Sequence, residues 1–257
     1  GLTFTSGLPD REPAGWGFSF MDHMGALTMA IAILMALLHR ERTGEGQWVD
    51  ISCTEAGLAL NGPALLDWSV NGRATRRPGM PNGNRSLGPE MAPHGIFPAR
   101  GDDEWVSIAC RDERDWQAFA KLVGETWVRD ARFVDLAGRK ANEDTLEELV
   151  AGWTRERDKF EVQRALLAVG VPTAAVQKPE ERIDRDPDTE DFGLWPTVQH
   201  TKMGAVRTDG LPVHLSETDW RIERGAPCLG EHTEEVLTRL LGLSSADVAK
   251  LHEEGVV

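Results

Sequence analysis

From Met24 to Leu38 the chain runs through fifteen residues without a charge: Met-Gly-Ala-Leu-Thr-Met-Ala-Ile-Ala-Ile-Leu-Met-Ala-Leu-Leu. No other segment restricts the possible folds as much. The run falls short of the ~20 residues that cross a bilayer. It does not sit at the N-terminus behind a basic leader, as a signal peptide would. It is apolar nearly all round rather than along one stripe, which predicts a helix buried in the core of a globular unit. Ser19 and Asp22 are both acceptable N-caps. His39-Arg40-Glu41-Arg42 puts basic residues at the C-terminal end, where they suit the helix dipole.

The rest of the chain reads as alternating short elements. Thr43-Gly44-Glu45-Gly46 supplies a turn, residues 47–53 alternate like a half-buried strand, and a second helix is expected from about Thr54 to Val70. Asn71-Gly72, Pro78-Gly79, Pro81-Asn82-Gly83 and Gly88-Pro89 then follow in quick succession. That is turn chemistry, and it predicts a long loop of the kind that often carries function. Strands over 95–99 and 104–109, helices near 112–123, 143–156 and 158–169, and a strand over 173–177 make a small α/β unit. Residues 181–196 are an acidic, turn-rich connector, and two strand-like pieces and two helices complete the chain. With 257 residues, 40% of them hydrophobic, there is material for one large core or two small ones. The expected organisation is a large domain built in part from residues 1–70 and 197–257, a small α/β domain over 90–180, and connecting segments at 71–89 and 181–196.

A formal net charge of −14 repels nucleic acid and anionic membranes at long range. Arg73, Arg76, Arg77 and Arg85 form the one candidate basic patch. Cys53, Cys110 and Cys228 are odd in number, widely spaced and without a CxxC pair, which argues against a disulfide framework or a zinc site and for buried, reduced thiols in the cytoplasm. Phosphate-loop, serine-hydrolase, zinc-protease and calcium-loop patterns are missing, and no metal is expected.

Four stretches, in order from end to end, carry a resemblance. They are Asp22-His23-Met24-Gly25 leading into the apolar helix, and Arg42-Thr43-Gly44-Glu45-Gly46-Gln47-Trp48-Val49-Asp50. Next come Ala92-Pro93-His94-Gly95-Ile96-Phe97 with the turn at Gly101-Asp102, and Leu229-Gly230-Glu231-His232-Thr233 followed by Leu240-Leu241-Gly242-Leu243-Ser244. Together they resemble class III, CaiB/BaiF-type coenzyme A transferases. The resemblance implies an α/β fold, with part of a Rossmann-like large domain plus a smaller α/β domain. It also implies a cytoplasmic enzyme that uses acyl-CoA and carboxylic acids as substrates, with no tightly bound cofactor. Related enzymes form interlocked homodimers. They carry the nucleophilic Asp well inside the chain, whereas here it is residue 22, so the expected partner is a second copy or a subunit supplying the N-terminal half. No nucleic acid or membrane partner is expected.

The resemblance makes Asp22 the catalytic carboxylate. Asp suits this task because its reference pKa of about 3.9 leaves it ionised at neutral pH, and a helix N-terminus further favours the anion. The cap and nucleophile roles are compatible. Candidate substrate or CoA contacts are His23, Gly83, Asn84, Arg85, Gly88 and His94, the last standing where the family usually has an aromatic residue. The Gly79–Gly88 loop is expected to close over the thioester and exclude water, with Gly83 and Gly88 permitting positive φ. Two alternatives stay open. One is an α-methylacyl-CoA racemase or epimerase, which shares the fold and the Asp; the other is a non-catalytic subunit of a split enzyme.

Overall fold

Glycine and proline set the ends of the first helices. In this computed structural model, which describes every residue except 1, 4–11, 13, 14, 16, 18, 76, 78, 79, 81, 82 and 87, α1 spans Phe20–Thr43. It stops where Gly44 turns left-handed at φ 78° and donates its N–H to the Arg40 carbonyl. A side chain would be strained in that conformation. The expected single helix over 54–70 is two: α2 (Cys53–Leu60) and α3 (Gly62–Asn71). Asn61-Gly62-Pro63 divides them, since Pro63 has no N–H to continue the α2 ladder and fits the first turn of a new helix instead. Residues 47–52 form no strand. A strand needs a hydrogen-bonded neighbour, none pairs with this segment among the described residues, and Trp48 is 90% exposed.

The chain divides into two compact units, Gly1–Val176 and Gln177–Val257. In the first, β1 (His94–Pro98), β2 (Trp105–Ala109) and β3 (Thr173–Ala175) form an antiparallel sheet in that order. Ile96 faces Ser107, and Ile108 faces Thr173. The β1–β2 turn contains Gly101 at φ 126° and Asp103 at φ 52°, the positive-φ conformations that Gly and Asp tolerate. Helices α4 (Glu113–Val123), α5 (Leu136–Ala141), α6 (Glu143–Arg155) and α7 (Lys159–Ala168) complete this part. Phe97, Val106 and Ile108 project from the sheet into a core with Trp116, Phe119, Phe133, Leu146, Val150, Val162 and Leu166. Trp116 stacks on Phe119 at 5.7 Å and Trp153 meets Phe119 edge-on at 6.1 Å, geometries that aromatic quadrupoles favour.

In the second unit, the segment expected as a connector is partly helical. Pro179 and Pro187 start two short helices, α8 (Pro179–Asp184) and α9 (Pro187–Asp191). A hairpin of β4 (Thr197–His200) with β5 (Gly204–Arg207) follows, then α10 (Thr233–Arg239) and α11 (Ser245–Glu253).

The expectation of a buried first helix fails in this chain. Of the residues in α1 only Gly25 is buried, while Leu27 and Ile31 are each 61% exposed and Leu34 and Met35 each 66%. Among the described residues, nothing covers most of the apolar surface of α1. The helix also outruns the apolar stretch that nucleates it. At 24 residues it is long and apolar enough to cross a membrane by length and composition. The cysteine expectation also needs correcting. Cys110 is buried, with its thiol pushed up to about 12 chiefly by burial, but Cys53 is exposed.

Candidate active site

Asp22 stands in the first turn of α1. The preceding Ser19 occupies the cap position in a left-handed conformation, φ 42°, and its side chain makes no cap bond. Its carbonyl accepts from the N–H groups of Asp22 at 3.0 Å and His23 at 3.1 Å. The Asp22 side chain is therefore not the cap. It is exposed and, among the described residues, makes no hydrogen bond or ion pair. A negative charge so placed is favoured by the positive end of the helix dipole.

Two glycines fix this turn in place. A Cβ on Gly25 would lie 2.4 Å from the Cys53 sulfur, and one on Gly57 would lie 2.4 Å from the Met21 methyl. Both distances are far inside van der Waals contact, so a side chain at Gly25 would have to displace the Cys53 thiol and one at Gly57 the flexible end of Met21. Gly25, Gly57 and Cys53 pack around the turn that carries Asp22, a contact that sequence reasoning did not anticipate. The Asp-x-x-Gly spacing was the available signal, since it puts the glycine one turn along from the carboxylate.

The loop before β1 is held down at several points. Arg85 donates to Glu147 through Nε at 2.9 Å and Nη2 at 2.6 Å, and to Asp144 at 2.5 Å. The Lys140 ammonium reaches the Ser86 carbonyl at 3.3 Å and both Glu143 oxygens at 2.8 Å. Arg139, 1% exposed, donates from Nε to the Ala92 carbonyl at 2.9 Å and from Nη1 to the Phe133 carbonyl at 3.3 Å. It also forks onto Glu113 at 3.2 and 2.5 Å, with its guanidinium 4.8 Å over the Trp116 ring. His94 Nδ1 bonds the Asn84 carbonyl. The guanidinium of Arg85 is committed to α6, and the carboxylates around it raise its pKa still further. Arg73 and Arg77 are likewise paired, both with Asp67, at 3.0 and 2.9 Å. Arg76 lies outside the described residues.

These contacts bring Gly83, Asn84, Arg85 and His94 together. Asn84 and His94 line an apolar groove of about 550 Å³ with Ile96, Ser107 and Leu167. Gly83, Asn84 and Arg85 line a second, more polar groove of about 600 Å³ beside α6. Asp22, His23 and Gly88 line neither. Gly83 adopts φ 63°, whereas Gly88 has no positive φ and precedes a cis bond to Pro89. The Gly79 end of the expected closing loop lies outside the described residues. Among the described residues, no three His, Cys, Asp or Glu side chains converge to hold a metal ion.

The fold is α/β, with an exposed carboxylate in the first turn of a long apolar helix. The chain belongs to CoA-transferase family III, whose model matches residues 1–233. It is 29% identical over 258 residues to the succinyl-CoA–D-citramalate CoA-transferase of Chloroflexus aurantiacus (strain ATCC 29366 / DSM 635 / J-10-fl), covering 100% of this chain and 62% of that protein. It is 31% identical over 238 residues to the 2-methylfumaryl-CoA isomerase of the same strain, covering 89% of this chain and 56% of that protein. Among solved structures it resembles a CAIB/BAIF family protein from Brucella suis, with a TM-score of 0.82 and 26% identity over 93% of this chain and 60% of that one. In each case the chain spans less than two thirds of its relative.

Proposed function

We propose that Asp22 is the nucleophile of a CoA-transferase that moves coenzyme A from an acyl-CoA donor to a carboxylic acid. The family match over residues 1–233, with an exposed, unbonded carboxylate at the family's Asp position, carries this reading. In the proposed sequence the Asp22 carboxylate attacks the donor thioester carbonyl. The C–S bond breaks, giving an acyl-aspartyl anhydride and CoA thiolate. The thiolate attacks the Asp22 carbonyl of the anhydride, releasing the donor acid as its carboxylate and leaving an aspartyl-CoA thioester. The acceptor carboxylate then attacks that thioester, and the expelled thiolate takes the new acyl group, restoring Asp22. Every bond made is matched by one broken, and no oxidant or metal is consumed. Covalent catalysis of this kind divides one difficult exchange into easier steps. In this reading His23 neighbours the reacting carboxylate, and Gly83, Asn84, Arg85, Gly88 and His94 border the substrate.

In the same reading, residues 1–70 and 197–257 contribute to one large domain and 90–180 make the small one. The apolar surface of α1 is covered by the remainder of that large domain, from the same polypeptide or a partner subunit, in an interlocked homodimer or a heteromer. The enzyme is cytoplasmic, with α1 a helix of the globular domain rather than a membrane span. The isomerase among the relatives supports a second reading, acyl-CoA isomerisation or epimerisation at the same carboxylate. One experiment separates them. The complete protein is incubated with acyl-CoA and a labelled acid, as wild type and as Asp22→Asn. CoA exchange that falls by several orders of magnitude in the variant, with a hydroxylamine-trappable adduct on Asp22, supports transfer. Proton exchange at the acyl α-carbon without CoA exchange supports the alternative. Transfer at near wild-type rate by a variant shown not to have deamidated overturns the role of Asp22.

A further inference from the structure

In the second unit, the ring of His214 is held at both nitrogens by oxygens that only accept hydrogen bonds. Nδ1 lies 2.8 Å from Oδ2 of Asp219, and Nε2 lies 2.8 Å from the carbonyl oxygen of Phe192. A neutral imidazole has a single N–H and satisfies one of these oxygens; only the imidazolium satisfies both. The partners are themselves fixed. Asp219 Oδ1 accepts from the backbone N–H groups of Leu215 at 3.2 Å and Trp220 at 2.9 Å. The Trp220 indole donates to the Val213 carbonyl at 2.7 Å. The imidazole lies between two aromatic rings, Phe192 at 4.6 Å and Trp220 at 6.0 Å, the latter nearly parallel at 23°. A cation is well placed against such π faces.

We propose that His214 is a pH-sensitive clasp which, doubly protonated, ties the end of α9 to the loop over residues 213–220 and gives up one of its two holds when it loses a proton. The charged group facing the ring is the Asp219 carboxylate, whose hydrogen bond, followed by that of the Phe192 carbonyl, raises the histidine pKa above its ordinary value. The other acidic groups nearby in the chain are Glu217 in the loop and Glu190 and Asp191 at the end of α9. Arg221 is paired with Glu223 at 3.4 Å. Because the folded-state pKa is raised, the clasp is complete below the unfolded value of about 6.5. It weakens as pH climbs through the higher folded value.

Asp219→Asn provides the discriminating variant. The amide oxygen can replace Oδ1 as acceptor for Leu215 and Trp220, and the NH₂ can replace Oδ2, now donating to His214 Nδ1. A neutral ring protonated on Nε2 then satisfies every partner, so this variant keeps the clasp and loses its pH dependence. The test is ¹H–¹³C NMR titration of His214 in the whole 257-residue chain, with amide hydrogen exchange at Leu215 and Trp220 over the same pH range. The wild type is expected to titrate above about 6.5. Beyond that midpoint its exchange should quicken by roughly fivefold over the normal base-catalysed rise, the effect of one hydrogen bond. Asp219→Asn should titrate lower and show only the base-catalysed rise. A wild-type midpoint at or below the ordinary imidazole value overturns the proposal, as does identical exchange behaviour in both proteins.

Discussion

Arg139 is the buried pin that joins the loop before β1 to the core of the first unit, and replacing it with Met isolates what its guanidinium contributes. Met keeps much of the stem and volume but offers no donor. Glu113 is 51% exposed, so losing its partner costs only roughly 0–1 kcal/mol once water returns to it. The carbonyl oxygens of Ala92 and Phe133 belong to residues that are each 0% exposed, and each buried acceptor left without a donor costs about 1–3 kcal/mol. Loss of the contact with Trp116 adds about 0.5–2 kcal/mol. Against these stands the guanidinium desolvation that the variant avoids, several kcal/mol in the other direction. The expected net destabilisation is about 2–4 kcal/mol for Arg139→Met and less than about 1 kcal/mol for Glu113→Gln. Urea unfolding followed by tryptophan fluorescence reads both, since Trp116 and Trp153 lie in this core. If Glu113→Gln is as damaging as Arg139→Met, the ion pair rather than the carbonyl contacts holds the loop, and the reasoning fails.

Gly25→Ala should push α1 off α2 and lower any Asp22-dependent turnover by roughly 100-fold, the scale of a 1 Å misplacement. Adding Cys53→Ala should restore it, because the nearest remaining side-chain atom is then the residue 53 Cβ at 3.4 Å; a double variant no better than the single one refutes the packing argument. Arg85→Gln should leave the fold intact but speed amide exchange across residues 83–89, and unchanged exchange would show that the Glu147 and Asp144 contacts do not anchor the loop. Asp115, 2% exposed, has its pKa lowered chiefly by hydrogen bonding from Arg111. Its contribution is therefore present above about 3.9 and lost as pH falls through the depressed folded value, so acid unfolding of Asp115→Asn should show a shallower pH slope than wild type.

Local chemistry made much of the fold readable. The β1–β2 hairpin follows from alternation on either side of Gly101-Asp102-Asp103. The helix at Glu113 starts where the Asp112 side chain accepts from the Asp115 N–H, a sequence-visible cap. What depended on a distant partner was not readable. Residues 47–52 alternate correctly, but alternation describes a face and not a neighbour to pair with. The unbroken apolar run between cap residues and a basic end identified α1 as a helix; burial belongs to the surroundings and could not be read from the helix itself. In the candidate site, Asp22 was legible through the motif around it. The commitment of Arg85 was not, because its acidic partners lie 59 and 62 residues further along, a separation that no local pattern encodes.

The core of the first unit is drawn entirely from a contiguous stretch, Ala92 to Val171. On the ribosome, which releases a chain N-terminus first at about 5–20 residues per second, that has a consequence for timing. This module holds all its core residues once the strand after α7 has emerged, and that strand, β3, then closes the antiparallel sheet against β2. The α1 helix emerges well before it, and none of the module's core residues comes from α1. The module can therefore reach its packed state without waiting for whatever covers α1, so these two parts of the chain fold on separate schedules.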